Sequence, residues 1–266
     1  MTPIITILTD FGLQDGFVGV MKGVILGIAP GTSIVDISHL VPPQNIAAGA
    51  YILNASAPYF PPQTIHVCVV DPGVGTARRP IAARLGSQLF VGPDNGLLTP
   101  LLARAQRAGE PVEIVHLDQP RYWRDEISTS FHGRDIFAPV AAHLARGVPL
   151  TDLGTPIHDP VLLTIPQPER TPHGLRGVVR RIDHFGNLAT NITQDDIAGL
   201  GELNVRIGGA RIHGLVRTFG DRPPGHLIAY ITSIGNLAVA MVNGNAAQRL
   251  NAHEGDVVEV ETIAHT

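Results

Sequence analysis

The chain has one cysteine in 266 residues. A lone Cys68 excludes an intramolecular disulfide and any zinc site built on several cysteines. It lies in the apolar run Thr64-Ile65-His66-Val67-Cys68-Val69-Val70, where an inert core thiol is expected. Lysine is as scarce: Lys22 is the only one, and arginine supplies the rest of the 19 basic residues. Codon usage explains that bias better than function does. The net charge is −4 with histidine neutral, which gives no electrostatic case for nucleic acid or an anionic membrane surface. No apolar stretch approaches the roughly 18 residues of a membrane span. The N-terminus lacks a basic segment and meets Asp10 too early for a signal peptide, so a cytoplasmic location is expected. The Asn191-Ile192-Thr193 sequon is then a chance match. The 12 histidines show no His-x-x-x-His or Cys/His spacing, and no metal is expected. Neither the phosphate-cradling Gly-x-x-x-x-Gly-Lys pattern nor the dinucleotide fingerprint occurs.

The composition, 44% hydrophobic and 16% charged, is that of a soluble globular protein with ample core. Strand-like and helix-like patterns alternate through the first half. Strands are expected at Pro3–Thr9, Thr32–Ile37, Thr64–Val70, Ile81–Leu85, Gln88–Val91 and Val112–Leu117. Phe17, Val20, Met21, Val24 and Ile28 recur at helical spacing, and further helices are expected at Asn45–Asn54 and Ile136–Ala145. This alternation predicts an α/β N-terminal domain with a largely parallel central sheet, over residues 1–160. Prolines crowd residues 161–174, as in a linker. Short β-rich runs at Leu175–Ile182, Leu203–Ile207, Ile212–Val216, Leu227–Ile231, Leu237–Val242 and Val257–Glu261 predict a small C-terminal antiparallel β-barrel domain over 175–266.

Candidate chemistry gathers at turns. Asp71-Pro72-Gly73-Val74-Gly75-Thr76-Ala77-Arg78-Arg79 follows the Thr64–Val70 run, which reads as a strand buried on both faces. The turn would therefore lie at a sheet's carboxyl edge, where open α/β folds place ligands. Asp71 and Arg78 are either an acid and a base of a site or a structural salt bridge. Asp10-Phe11-Gly12 follows the first strand and lacks the context of a kinase Asp-Phe-Gly. Asp10 either accepts hydrogen bonds from vicinal ribose hydroxyls or caps the next helix. His132, in Phe131-His132-Gly133-Arg134-Asp135, orients a water or pairs with an acid, unless it is a solvated loop histidine. In Asp183-His184-Phe185-Gly186-Asn187 an aromatic beside an amide suits stacking on a purine and reading its edge, and equally suits a hairpin turn. Ser233-Ile234-Gly235-Asn236 and Asn243-Gly244-Asn245-Ala246-Ala247 read first as turns.

Together these motifs resemble the S-adenosyl-L-methionine hydrolase (adenosine-forming) family, also called S-adenosylmethionine hydroxide adenosyltransferases, relatives of the fluorinase and chlorinase. The likeness spans nearly the whole chain: Thr9–Gly12, Asp36-Ile37-Ser38-His39, Asp71–Arg79, Val91-Gly92-Pro93-Asp94-Asn95-Gly96, Phe131–Asp135, Phe185–Asn191 and Gly244–Ala247. It implies a homotrimer with active sites between neighbouring subunits and a catalytic set of Asp71, Arg78 and His132. Asp10 would hold the ribose hydroxyls, and Phe185 and Asn187 the adenine. Asp183 and Ser233 would hold the amino acid group, with Gly133 lining the reacting centre. S-adenosylmethionine would be substrate, and no cofactor is implied. The fluorinase-like pattern has serine at Gly133 and tyrosine at His132 and Asp71, so the donors that would strip fluoride of its hydration are missing here. The chlorinase branch shares the glycine, but an anionic Asp71 would repel a halide where it can accept a water's proton. Gln44 stands where the family usually has a large aromatic, and Ile234 where halogenases have an arginine. The implied reaction is hydrolysis to adenosine and L-methionine. The alternatives are a chlorinase-type halide adenosyltransferase and a non-catalytic S-adenosylmethionine or adenosine binding protein.

Overall fold

The computed structural model describes residues 2–263, so the last residues of the expected β domain lie outside the described residues. The chain divides into two compact units, Met1–Leu163 and Thr164–Thr266.

The first unit is a three-layer α/β fold. Its strands are β1 (Ile4–Thr9), β2 (Ser33–Ser38), β3 (Ile65–Val69), β4 (Pro80–Leu85), β5 (Gln88–Pro93), β6 (Val112–Leu117) and β7 (Gly154–Pro156). They lie side by side in the order β2-β1-β3-β5-β4-β6-β7. Helices α1 (Phe17–Ile28) and α4 (Ala138–Ala145) cover one face, α2 (Ile46–Ser56) and α3 (Thr99–Arg107) the other. Strand β3 is buried throughout, as its apolar run predicts. Ile65, Val67 and Val69 enter the core under α1 and α4, while Cys68 and Val70 enter the core under α2 and α3. That alternation is the period of two of a strand. Cys68 is buried, and burial pushes its thiol up out of the reactive range.

The expected largely parallel sheet is corrected to a mixed one. Pairs β1–β2, β1–β3 and β3–β5 are parallel, whereas β4–β5, β4–β6 and β6–β7 are antiparallel. The reason is local. Only Gly86 and Ser87 separate β4 from β5, with Gly86 at φ 61, and a two-residue connection can join only antiparallel neighbours. Helix α3 carries no expectation from the sequence; it is short and has Pro100 in its first turn. The expected Ile136 helix begins instead as a π-helical turn, Gly133–Phe137, that runs into α4.

The second unit is an antiparallel, barrel-like sheet. It comprises β8 (Glu169–Thr171), β9 (Gly174–Ile182), β10 (Leu188–Thr193), β11 (Leu203–Ile207), β12 (Ala210–His213), β13 (Leu227–Ile231), β14 (Asn236–Met241) and β15 (Val257–Thr262). The order is β12-β11-β15-β9-β10-β14-β13, with β8 on β9. Just past β12, the Val216 N–H donates to the Ala229 carbonyl of β13 at 2.9 Å, drawing the two ends of the sheet together. Asn191, the sequon asparagine, is a structural residue: its Oδ1 accepts the Val178 N–H at 2.7 Å and its Nδ2 donates to the Pro166 carbonyl at 2.9 Å.

Candidate active site

Strands β1 and β3 run parallel with Thr9 opposite Val69, so Asp10 and the Val70-Asp71 step leave the sheet side by side at its carboxyl edge. The Asp71–Arg79 segment then folds as successive turns. The Val74 N–H donates to the Asp71 carbonyl at 3.2 Å and the Thr76 N–H to the Gly73 carbonyl at 3.2 Å. Gly75 sits at φ 76, and a Cβ there would collide with the Thr129 carbonyl oxygen. Only glycine permits both the conformation and the approach. The turns thus pack against the loop that leads into Phe131 and His132.

The outcome is a partly buried three-residue cluster. Asp71 Oδ1 accepts from Arg78 Nε at 3.1 Å, and Oδ2 accepts from Arg78 Nη2. Both side chains are nearly inaccessible, at 4% and 7% exposure. The same Nη2 donates to His132 Nδ1 at 3.1 Å. A guanidinium can only donate, so Nδ1 must be the unprotonated nitrogen; His132 is neutral and carries its proton on Nε2. Arg78 lies over the Phe137 ring, 5.4 Å from its centroid, and its Nη1 is buried with no protein acceptor among the described residues. Burial raises the Asp71 pKa above its ordinary 3.8, with the Arg78 charge opposing it. Burial, and then the Arg78 charge, lower that of His132 below 6.5. The pair of shifts leaves an ionisable carboxylate and a neutral imidazole on one arginine.

Supporting residues fix this cluster. Asn95 Nδ2 donates to the Val70 carbonyl at 2.8 Å, pinning the exit of β3. The wholly buried Asp135 takes two hydrogen bonds from Arg134, at 2.6 and 2.9 Å, and the Ser128 N–H at 2.8 Å. Asp135 thereby ties down both ends of the His132 loop. Asn95 and Asp135 stand in motifs quoted from the sequence, but their roles as supports were not read there. The signal that could have found Asn95 is a polar Asp-Asn pair directly after an apolar strand. Phe137 gave no signal beyond its place in an apolar helix.

Asp10 accepts the Gln44 N–H on Oδ2 at 2.7 Å, and Gln44 reaches it in a left-handed conformation, φ 63. Gly133 is buried between the Asp10 turn and α1. A Cβ on it would lie 3.2 Å from Met21 Sδ, 3.4 Å from the Phe131 ring and 3.5 Å from Phe11 Cζ. Asp10, Asp71, Arg78, His132 and Gly133 therefore converge at one edge of the first unit.

In the second unit, Asp183 folds its own turn. Its Oδ1 accepts the Phe185 and Asn187 N–H groups, each at 2.9 Å, and its Oδ2 accepts Asn187 Nδ2 at 2.7 Å. Phe185 is left 71% exposed, in T-shaped contact with the His184 ring at 5.4 Å between centroids. The Gly186 carbonyl accepts the Ala247 N–H at 3.0 Å, so the Phe185–Asn191 and Gly244–Ala247 motifs meet. Ser233 is elsewhere. It sits in the turn before β14, where Thr193 pairs with Asn236, while the Asp183–Asn187 turn lies beyond the Leu188–Val239 pair. These are opposite ends of the β10–β14 ladder, so this unit does not bring Asp183 and Ser233 together.

A family model described as the SAM hydroxide adenosyltransferase N-terminal domain matches residues 5–154, and one described as its C-terminal domain matches residues 177–259. The chain belongs to the SAM hydroxide adenosyltransferase family. An (R)-S-adenosyl-L-methionine hydrolase of Salinispora arenicola is 43% identical, over 97% of this chain and 98% of its own. One from Thermus thermophilus is 41% identical over 93% and 95%. A fluorinase of Actinoplanes sp. is 32% identical over 97% of both. A crystal structure of an uncharacterized conserved protein from Thermotoga maritima superposes with a TM-score of 0.87 at 37% identity, covering 96% of this chain and 99% of that one.

Proposed function

We propose that this chain hydrolyses S-adenosyl-L-methionine to adenosine and L-methionine. The observation that carries the reading is the buried carboxylate of Asp71, held by Arg78 beside a neutral His132. A water oxygen attacks the ribose 5′ carbon as the C5′–S bond breaks, and the bonding pair leaves on sulfur. Methionine departs as a neutral thioether, so the leaving group needs no acid. Asp71 accepts the water's proton, and Arg78 keeps that carboxylate ionised despite its burial. Arg78 Nη1 and His132 Nε2–H supply donors for the oxygen as it becomes hydroxide-like. Asp10 holds the ribose hydroxyls, Phe185 stacks on adenine and Asn187 reads its edge. Ser233 takes the amino acid group, Asp183 holds the turn that presents Phe185 and Asn187, and Gly133 lets Met21, Phe11 and Phe131 pack closely beside His132. No cofactor or metal enters the scheme.

The assembly we propose is a homotrimer with active sites between neighbouring subunits, working in the cytoplasm. It is supported by the neighbouring apolar side chains that α1 leaves exposed, Phe17 and Val20, on a surface of the kind that oligomers cover.

The test is product identification from S-adenosylmethionine with and without chloride or fluoride, run separately on the two sulfonium epimers because the relatives' names specify (R). Adenosine and methionine formed without halide support hydrolysis. 5′-Halo-5′-deoxyadenosine as the main product would make the chain a halide adenosyltransferase, and tight binding without turnover would make it a binding protein.

A further inference from the structure

The Asp10 turn is held by a chain of polar side chains that runs to the surface and that the reaction above leaves unused. Thr9 is wholly buried. Its Oγ1 lies 2.9 Å from His39 Nδ1 and accepts the Phe11 N–H at 3.3 Å. His39 is buried too, with Nε2 3.0 Å from Asp36 Oδ1, an ion-pair distance without the alignment of a hydrogen bond, and Asp36 Oδ2 accepts from Lys22 Nζ at 2.6 Å. The His39 carbonyl accepts the Gly12 N–H at 2.8 Å. The two residues that flank the Asp10 carboxylate's turn, Thr9 and Gly12, are thus both tied to His39.

The donor order follows from what each group can do. An ionised Asp36 only accepts, which favours an imidazole proton on the facing Nε2; in the neutral ring Nδ1 is then the acceptor. Nδ1 then takes the Thr9 hydroxyl proton, and this turns a lone pair of Oγ1 toward the Phe11 N–H. A change at Asp36 therefore alters what reaches the backbone beside Asp10. Burying a threonine and a histidine in this way costs stability unless they are paired, and an apolar pair would close the same seam between β1 and β2.

We infer that Thr9, His39 and Asp36, anchored by Lys22, form a positioning network that presets Asp10 for the ribose hydroxyls. The inference rests on the role proposed for Asp10 above. Gln44 N–H holds the Asp10 carboxylate from one side, and the network holds its backbone from the other. Asp36 is the informative member, because its side chain is 40% exposed and substitution of such a residue ordinarily has little effect.

The experiment measures the dissociation constants of adenosine and 2′,3′-dideoxyadenosine, together with kcat and KM for S-adenosylmethionine. Thr9→Val and Asp36→Asn are expected to weaken adenosine binding and raise KM by about 3- to 10-fold, the size of one lost hydrogen bond. Their kcat should change by less than about twofold. Dideoxyadenosine binding should be unaffected, Thr9→Ser should restore the wild-type values, and neither variant should weaken binding further in an Asp10→Ala background. Unchanged adenosine affinity in Thr9→Val and Asp36→Asn, or equal losses for the two nucleosides, would overturn the inference. If Asp10→Ala itself leaves adenosine affinity intact, the ribose role of Asp10 falls and the inference with it. If Asp10→Ala weakens binding while Thr9→Val and Asp36→Asn do not, the inference alone falls.

Discussion

At the scale of single residues, protonation state is what the geometry determines. Arg78 can only donate, so His132 must be neutral at Nδ1, and protonating that nitrogen would break the contact. Asp71 must be ionised to accept a proton. Its pKa is raised above 3.8 and that of His132 lowered below 6.5, so both losses occur as pH falls. The pH profile of kcat/KM is therefore expected to lose activity on its acid side, as Asp71 and His132 take up protons. Activity that rises as pH falls would contradict the ionised carboxylate and the neutral imidazole. The candidate acid and base at residues 71 and 78 could be proposed from sequence, because a carboxylate and an arginine shared one turn after a buried strand. His132 lies 54 positions from Arg78, and no local pattern reports a contact of that span. Which nitrogen of His132 carries the proton needed the distance itself.

At the scale of elements, loop geometry follows from two hard contacts. Gly75 requires a positive φ and lies against the Thr129 carbonyl, whereas a Cβ on Gly73 would make only ordinary contacts, none nearer than 3.5 Å. Gly75→Ala should cost about 1–3 kcal/mol from the backbone conformation alone and should displace Arg78, lowering both melting temperature and kcat. Gly73→Ala should stay close to wild type in both. Thermal melts and steady-state kinetics on the two variants check this, and equal effects would remove Thr129 from the account. Strand positions were legible for the same reason that strand directions were not. Apolar runs such as Ile81–Leu85 and Val112–Leu117 report burial, and burial is the same whichever way a strand runs. Spacing could have supplied direction, since the two residues between β4 and β5 permit only a hairpin. In the second unit, the Phe185–Asn187 turn was visible through its glycine and amides. That Asp183 spends three hydrogen bonds on the turn itself was not, because a carboxylate that folds a loop and one that binds a ligand look alike in sequence.

At the scale of the molecule, the family match extends over both units, so the mixed sheet and the barrel-like sheet are read as parts of one enzyme. The exposed Phe17 and Val20 of α1 are expected to be covered in a trimer. Light scattering on the purified protein should give three times the 28.3 kDa chain mass, and a monomer active at high dilution would contradict sites shared between subunits. The central claim concerns the nucleophile: Asp71, Arg78 and His132 prepare a water, which attacks carbon. Running the reaction in oxygen-18 water and weighing both products tests it most directly. The account predicts one heavy oxygen on the 5′ hydroxyl of adenosine and none in methionine; adenosine released without the label would contradict it.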